Sequence, residues 1–337
     1  MLLEQRIECF AELGRRMLES GFLSESKMRE AISKNAWFTE DSIKESINSI
    51  ATEYLDKQKL SDWCLNYEFK DNGHKSVALI LAGNIPLVGF HDILSVLISS
   101  HNVQIKMSER DSVLVNLILD TLIDIDDRFS ERIKIVDRIK DFDAVIATGS
   151  DTTAAYFHKY FGQVDNIIRS NRHGIAVIRK SDDTDKLRDL SKDVFQYFGL
   201  GCRNVSKLYV EEGFELNTFF EAIEHNKDVI HHNKYKNNFD YNHAGFLLNK
   251  EAFLTNDFLL VREDSAISSR IASLHYEYYN SEADLVKELS NRSEEIQCIV
   301  SSSDIEGLDT FRFGHAQSPG LMDYADQVDT LEFLLNI

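Results

Sequence analysis

Proline is nearly absent from this chain: only Pro86 and Pro319 occur among 337 residues, so each marks a fixed point of the backbone. Cysteine is equally sparse. Cys9, Cys64, Cys202 and Cys298 stand far apart with no paired spacing. That pattern suits neither a disulfide framework nor a zinc site, and it fits a reducing compartment. Basic charge is in deficit. The formal net charge of −19 argues against nucleic acid as a partner, because phosphate binding needs a basic face. No apolar run approaches the roughly 20 residues that cross a bilayer, and Met1-Leu2-Leu3-Glu4-Gln5-Arg6 lacks a signal-peptide charge pattern. The expectation is a cytoplasmic protein without a membrane span and without a metal. The glycines at 83, 89 and 149 are too scattered for a G-x-G-x-x-G fingerprint, so a standard dinucleotide motif is missing.

The sequence does hold enough apolar residues, 43 %, for a sizeable core. Residues 1–66 carry helical stripes, first Ile7, Phe10, Leu13 and Met17, then Ile43, Ile47, Ile50 and Leu55, with Ser42 as a helix cap. From Val77 a strand–loop–helix unit repeats three times. The strands are Val77–Ala82, Val103–Lys106 and Ala144–Ala147; their carboxyl ends are Gly83-Asn84, Lys106–Ser108 and Gly149-Ser150. Continuous apolar strands alternating with helices predict a doubly wound parallel sheet, with ligands beyond those ends. Strands follow at Gly174–Ile178, Val205–Val210, Phe258–Val261, His275–Tyr279 and Ile296–Val300. Helices are predicted at 184–198, 217–232 and 283–289, and the polar residues 233–244 read as a loop. The segment Val328–Leu335 is an apolar helix or strand.

One stretch stands out chemically: Tyr197-Phe198-Gly199-Leu200-Gly201-Cys202-Arg203-Asn204. It places a thiol in a glycine-containing turn between a packed segment and a strand. A thiolate is a nucleophile when a nearby cation or a helix N-terminus lowers its pKa, and Arg203 and Lys207 are the cations at hand. A buried, inert thiol is the ordinary alternative.

Four pieces line up in order: Gly83-Asn84-Ile85-Pro86, Lys106-Met107-Ser108-Glu109, Thr148-Gly149-Ser150 and Cys202. The series resembles the aldehyde dehydrogenase superfamily, which carries a W-N-F-P-like turn, a K-P-S-E-like strand end and T-G-S ahead of a catalytic cysteine. It is most similar to the fatty acyl-CoA reductase (LuxC-type) family through Leu81-Ala82-Gly83-Asn84-Ile85-Pro86, Asn171-Arg172-His173 and Gly199-Leu200-Gly201-Cys202-Arg203-Asn204-Val205-Ser206-Lys207-Leu208-Tyr209-Val210. The likeness runs from about residue 75 to the C-terminus, including Ala316–Pro319 and Asp323–Asp326.

The resemblance implies an α/β, aldehyde dehydrogenase-like fold: a Rossmann-type cofactor domain plus a catalytic α/β domain. The expected boundaries are a helical segment at 1–66, the cofactor domain at 67–182, the catalytic domain at 183–310 and a returning segment at 311–337. It implies NADPH-dependent reduction of an acyl-CoA to an aldehyde through an acyl-enzyme on Cys202, with CoA as leaving group and Asn84 and the Cys202 amide holding the oxyanion. Lys106, Ser108, Glu109, Thr148, Gly149 and Ser150 match cofactor-binding positions. Glu109 favours free ribose hydroxyls and so leaves NADH open. His173 is open between acid/base work, a CoA contact and a structural role. An acyl-supplying synthetase is the implied partner, and a homo-oligomer the implied assembly.

Two departures matter. Ser170-Asn171-Arg172-His173-Gly174 carries no carboxylate where hydrolytic aldehyde dehydrogenases place the glutamate that activates water, which favours CoA chemistry over acid formation. Glu263, in Arg262-Glu263-Asp264-Ser265-Ala266, is not followed by the Phe-Gly-Pro of the family's ribose-binding turn, and the chain is shorter than a full aldehyde dehydrogenase. The alternatives are an acyltransferase or thioesterase using the same thiol, and a non-catalytic ligand-binding relative; cofactor binding and acyl-enzyme mass separate them.

Overall fold

The N-terminal stripes form helices α1 (Leu3–Met17), α2 (Glu25–Lys34), α3 (Glu40–Ser49) and α4 (Lys57–Leu65), with one π-turn at Ile50–Tyr54. The computed structural model describes residues 1–69 and 73–337. Helix α1 buries Ile7, Phe10, Leu13 and Met17, the face its spacing predicts. The cap of α3 is Thr39 rather than Ser42. Thr39 Oγ1 accepts from the Ser42 amide at 3.1 Å while Ser42 Oγ accepts from the Thr39 amide at 2.9 Å, a reciprocal capping box. These helices share a core with the sheet that follows; Phe10 meets Phe129 edge-on at 5.9 Å between ring centres.

The first sheet is built from β1 (Ser76–Ile80), β2 (Asn102–Lys106), β3 (Ile133–Ile135), β4 (Ala144–Thr148) and β5 (Asp165–Arg169). Helices α5 (Phe90–Ile98), α6 (Ser112–Ile125) and α7 (Asp151–Phe161) connect them. All pairings are parallel and the order is β3-β2-β1-β4-β5, with Leu79 in register with Ile105 on one side and Ile146 on the other. The order reverses between β1 and β4, and this switch point is where open α/β sheets take ligands. Edge strands β3 and β5 were not expected; they are short or polar, which hides them from an apolar-run criterion.

The second sheet runs β12-β11-β6-β7-β10-β9-β8. Its elements, in chain order, are β6 (His173–Ile178), α8 (Thr184–Phe195), β7 (Val205–Glu211), α9 (Leu216–Ile223), α10 (Asn233–Asn249), β8 (Leu254–Thr255), β9 (Leu260–Glu263), β10 (Ser273–Tyr279), α11 (Glu282–Asn291), β11 (Ile296–Ser301) and β12 (Phe311–Arg312). Only β8 pairs antiparallel. The expected loop at 233–244 is wrong. It lies inside α10, which buries Tyr235, Phe239, Asn242 and Phe246 at helical spacing.

The chain divides into two units, Met1–Asn171 with Pro319–Ile337, and Arg172–Ser318. The division falls between 171 and 172 rather than 182 and 183, because β6 pairs with β7 and β11. Residues 1–66 are part of the first unit and not a separate segment. The tail splits as well: 311–318 stays with the second sheet, and from Pro319 the chain returns to the first unit, ending in α12 (Thr330–Leu335). There Thr330 Oγ1 accepts from Arg169 Nη2 at 2.9 Å, and Arg169 Nη1 pairs with Asp92 at 2.5 Å, both side chains buried.

Candidate active site

In the first unit, the residues after β1 and β2 form one tightly packed corner. A β-carbon on Gly83 would lie 2.5 Å from Ser108 Oγ, so only glycine lets these two loops close on each other. The Gly83 carbonyl accepts from Asn35 Nδ2 at 3.0 Å, and the Pro86 carbonyl accepts from Ser46 Oγ at 2.8 Å. Leu87, at φ 57°, is held in the left-handed region by its amide donating to Asp111 Oδ2 at 2.7 Å. Burial pushes the Asp111 carboxyl well up, against the downward pull of that amide. Half-buried Asn84 therefore sits on a turn fixed by Asn35 just after α2, by Ser46 of α3 and by Asp111 just before α6.

Lys106 and Glu109 are exposed at the carboxyl end of β2. Ser108 serves two ends: it packs on Gly83, and its hydroxyl accepts from the Arg110 amide at 3.4 Å. Thr148 ends β4, and Ser150 caps α7 by accepting from the Thr153 amide at 3.4 Å. Gly149 lies against Thr153, where a β-carbon would come within 2.9 Å. The sequence-predicted cofactor residues thus occupy the carboxyl ends of β2 and β4, on either side of β1 at the reversal of strand order. An exposed lysine and a helix N-terminus suit a phosphate-bearing ligand, and an exposed carboxylate suits ribose hydroxyls. The residues present fit a dinucleotide.

In the second unit, Cys202 is the exposed one of the four cysteines; Cys9, Cys64 and Cys298 are buried. The chain enters its turn through three consecutive left-handed residues, Tyr197 (φ 53°), Phe198 (φ 59°) and Gly199 (φ 77°). Gly201 is not among the positive-φ residues, so the conformational freedom is needed upstream of where the sequence suggests it. The Phe198 ring stacks on His232 at 4.1 Å, which holds the strained segment in place. The turn itself closes by the Asn204 amide donating to the Gly201 carbonyl at 3.1 Å.

The two cations near the thiol are otherwise engaged. Buried Lys207 donates to the carbonyls of Asp264 (3.1 Å) and Ser265 (2.9 Å) and pairs with Glu277. Burial lowers its pKa, opposed by Glu277. Arg203 is buried with its guanidinium 5.4 Å from the Phe311 ring centre. In sequence the thiol follows the C-terminus of α8. His173 opens β6 and donates its amide to Glu295 O at 3.0 Å. Glu263 is exposed at the end of β9, and the loop after it is fixed by Lys207, by Arg292 donating to Ser265 O (2.7 Å), by His275 at Ala266 O (2.9 Å) and by Ser206 donating to Ile267 O (2.8 Å).

Among the described residues no group of His, Cys, Asp and Glu is arranged to hold a metal, and no helix is long and apolar enough to cross a membrane. The residues that sequence reasoning missed are Asp193 and Asn204. Asp193, fully buried on α8, accepts from the amides of Gly314 (2.6 Å) and Ala316 (2.9 Å). Burial drives its carboxyl up to about 7, against those two amides. Asn204 was legible only as part of a motif.

The fold is shared with solved aldehyde dehydrogenases. An NADP-dependent enzyme of E. coli superposes with a TM-score of 0.68 at 12 % identity over 94 % of this chain and 76 % of that one. The NAD-dependent aldehyde dehydrogenase of Sinorhizobium meliloti gives 0.67 at 12 % over 91 % and 72 %. Aldehyde dehydrogenase C of Pseudomonas syringae, solved with NAD+ and octanal, gives 0.66 at 11 % over 90 % and 73 %. Proline Utilization A of Corynebacterium freiburgense gives 0.64 at 12 % over 91 % of this chain, which spans only 38 % of that protein. No curated protein sequence matches. On sequence, the description of an acyl-CoA reductase (LuxC) covers residues 16–328. The chain belongs to the LuxC acyl-CoA reductase family.

Proposed function

We propose that this protein reduces an acyl-CoA thioester to an aldehyde with NADPH, through an acyl-enzyme on Cys202. The observation that carries the reading is the exposed Cys202 in a closed turn, beside three buried and therefore inert cysteines. The Cys202 thiolate attacks the acyl carbonyl, the C–S bond to coenzyme A breaks, and the departing CoA thiolate takes up a proton. A bound reduced nicotinamide would supply the hydride, which leaves a thiohemiacetal alkoxide on Cys202. Collapse then breaks the Cys202–carbon bond, returns the thiolate and releases the aldehyde. The Cys202 amide donates to the developing oxyanion, and Asn84 supplies the second donor. Lys106, Ser108, Glu109, Thr148, Gly149 and Ser150 hold the cofactor. The family resemblance favours NADPH, with Lys106 offsetting the repulsion between Glu109 and a 2′-phosphate.

The absence of a carboxylate at 170–174 supports reduction over hydrolysis, since water at the acyl-enzyme then lacks a general base. His173 is proposed either as an acid/base group or as a contact for the CoA portion, alongside a structural role. The substrate arrives from an acyl-activating synthetase, and the enzyme works as a homo-oligomer. The test is Cys202→Ser assayed with an acyl-CoA and NADPH. Aldehyde formation is lost, and no acyl adduct is seen by intact mass. Aldehyde formation at the wild-type rate overturns the proposal.

A further inference from the structure

The Asn204 side chain makes three hydrogen bonds, all to backbone. Its Oδ1 accepts from the Gly201 amide at 2.9 Å, and its Nδ2 donates to Asp193 O at 3.1 Å and Gln196 O at 2.7 Å. Asp193 O lies in the last turn of α8, where carbonyls lack intrahelical donors, and Gln196 O lies just beyond it. The Asn204 main-chain amide binds the Gly201 carbonyl at 3.1 Å. One residue, 2 % exposed, therefore fixes the peptide on each side of Gly201: Leu200–Gly201 through its side chain and Gly201–Cys202 through its backbone.

The second of those peptides is the one that carries the Cys202 N–H. A trans peptide is planar, with C=O and N–H pointing in opposite directions. Holding the Gly201 carbonyl toward Asn204 thereby sets the direction of the Cys202 N–H, away from Asn204. An oxyanion donor is effective only when aimed before the charge develops.

We propose that Asn204 is a positioning residue that aims the Cys202 amide at the tetrahedral oxyanion, anchored to α8 through its two donated bonds. This rests on Cys202 being the nucleophile. It gives Asn204 a task distinct from folding: it acts on steps that form an oxyanion and not on simple displacement at the sulfur.

That distinction is the test. Asn204→Ala and Asn204→Asp are compared with wild type in two reactions of the same thiol, each on its high-pH plateau where the thiol is ionised: acylation by an acyl-CoA, and alkylation by iodoacetamide, which forms no oxyanion. In Asn204→Ala acylation falls about 100-fold, while alkylation changes by less than about threefold. Asn204→Asp keeps an acceptor for the Gly201 amide and loses both donors, so its acylation falls about tenfold, between the two. This isosteric variant decides the matter if the alanine form does not fold. Acylation and alkylation falling together, or acylation unchanged, overturns the inference. Unchanged acylation in the Asn204 variants alongside an inactive Cys202→Ser overturns it alone. An active Cys202→Ser overturns the nucleophile reading itself.

Discussion

A β-carbon on Gly174 would lie 2.5 Å from the Arg203 carbonyl oxygen and 2.9 Å from that of Asn204. Strand β6 thus touches the thiol turn backbone to backbone, with the Gly174 amide donating to Asn204 O at 3.0 Å. No flexible side chain can yield there. Gly174→Ala is expected to cost about 1–3 kcal/mol and to slow acylation by displacing the turn. Thermal melting and an acyl-CoA burst measurement check it; an unchanged burst in a destabilised but folded variant contradicts the coupling.

The Asp193 carboxyl gives a pH dependence with a definite sign. Its folded pKa is raised from 3.8 to about 7, chiefly by burial. A raised folded pKa contributes stability fully present below the unfolded value and lost as pH rises through the folded one. Between about pH 4 and 7 this group therefore lowers stability as pH increases, by a few kcal/mol at most. Asp193→Asn flattens that slope, as melting temperatures across the range show.

Lys207 makes a different prediction. Its buried ammonium joins Glu277 to the carbonyls of Asp264 and Ser265. Lys207→Met leaves those acceptors without their donor and is expected to destabilise by about 2–3 kcal/mol. Denaturant unfolding measures it, and Glu277→Gln is milder because Glu277 keeps partial contact with solvent.

Cofactor choice is addressed at Glu109. Glu109→Gln removes the charge that opposes a 2′-phosphate, so NADPH is bound several-fold more tightly while NADH is not. Titration of both nucleotides by fluorescence decides it. Equal changes for the two place Glu109 away from the adenosine ribose.

Much of the fold was readable because buried parallel strands write themselves as continuous apolar runs. Val77–Ile80 and Ala144–Ala147 are examples, and their order fixes where the loops carrying Asn84 and Gly149 emerge. Helix α10 was missed although Tyr235, Phe239, Asn242 and Phe246 fall at helical intervals, because lysines and asparagines between them outweighed the period. Strands β3 and β5 carry too few apolar residues to register. At the site, Cys202 and the strand ends were legible as motifs. The roles of Asn204 and Asp193 were not, since a side chain that serves a distant backbone leaves no periodic trace. The same holds for the left-handed Tyr197 and Phe198, whose conformation no residue type announces.

The grip of Asp193 on Gly314 and Ala316 joins residues 121 and 123 positions apart. During synthesis, the helix that leads into the thiol turn emerges long before the amides that meet its carboxyl. The turn that carries Cys202 therefore gains this support only after Ala316 has been made, so a nascent polypeptide shorter than that carries the cysteine without it.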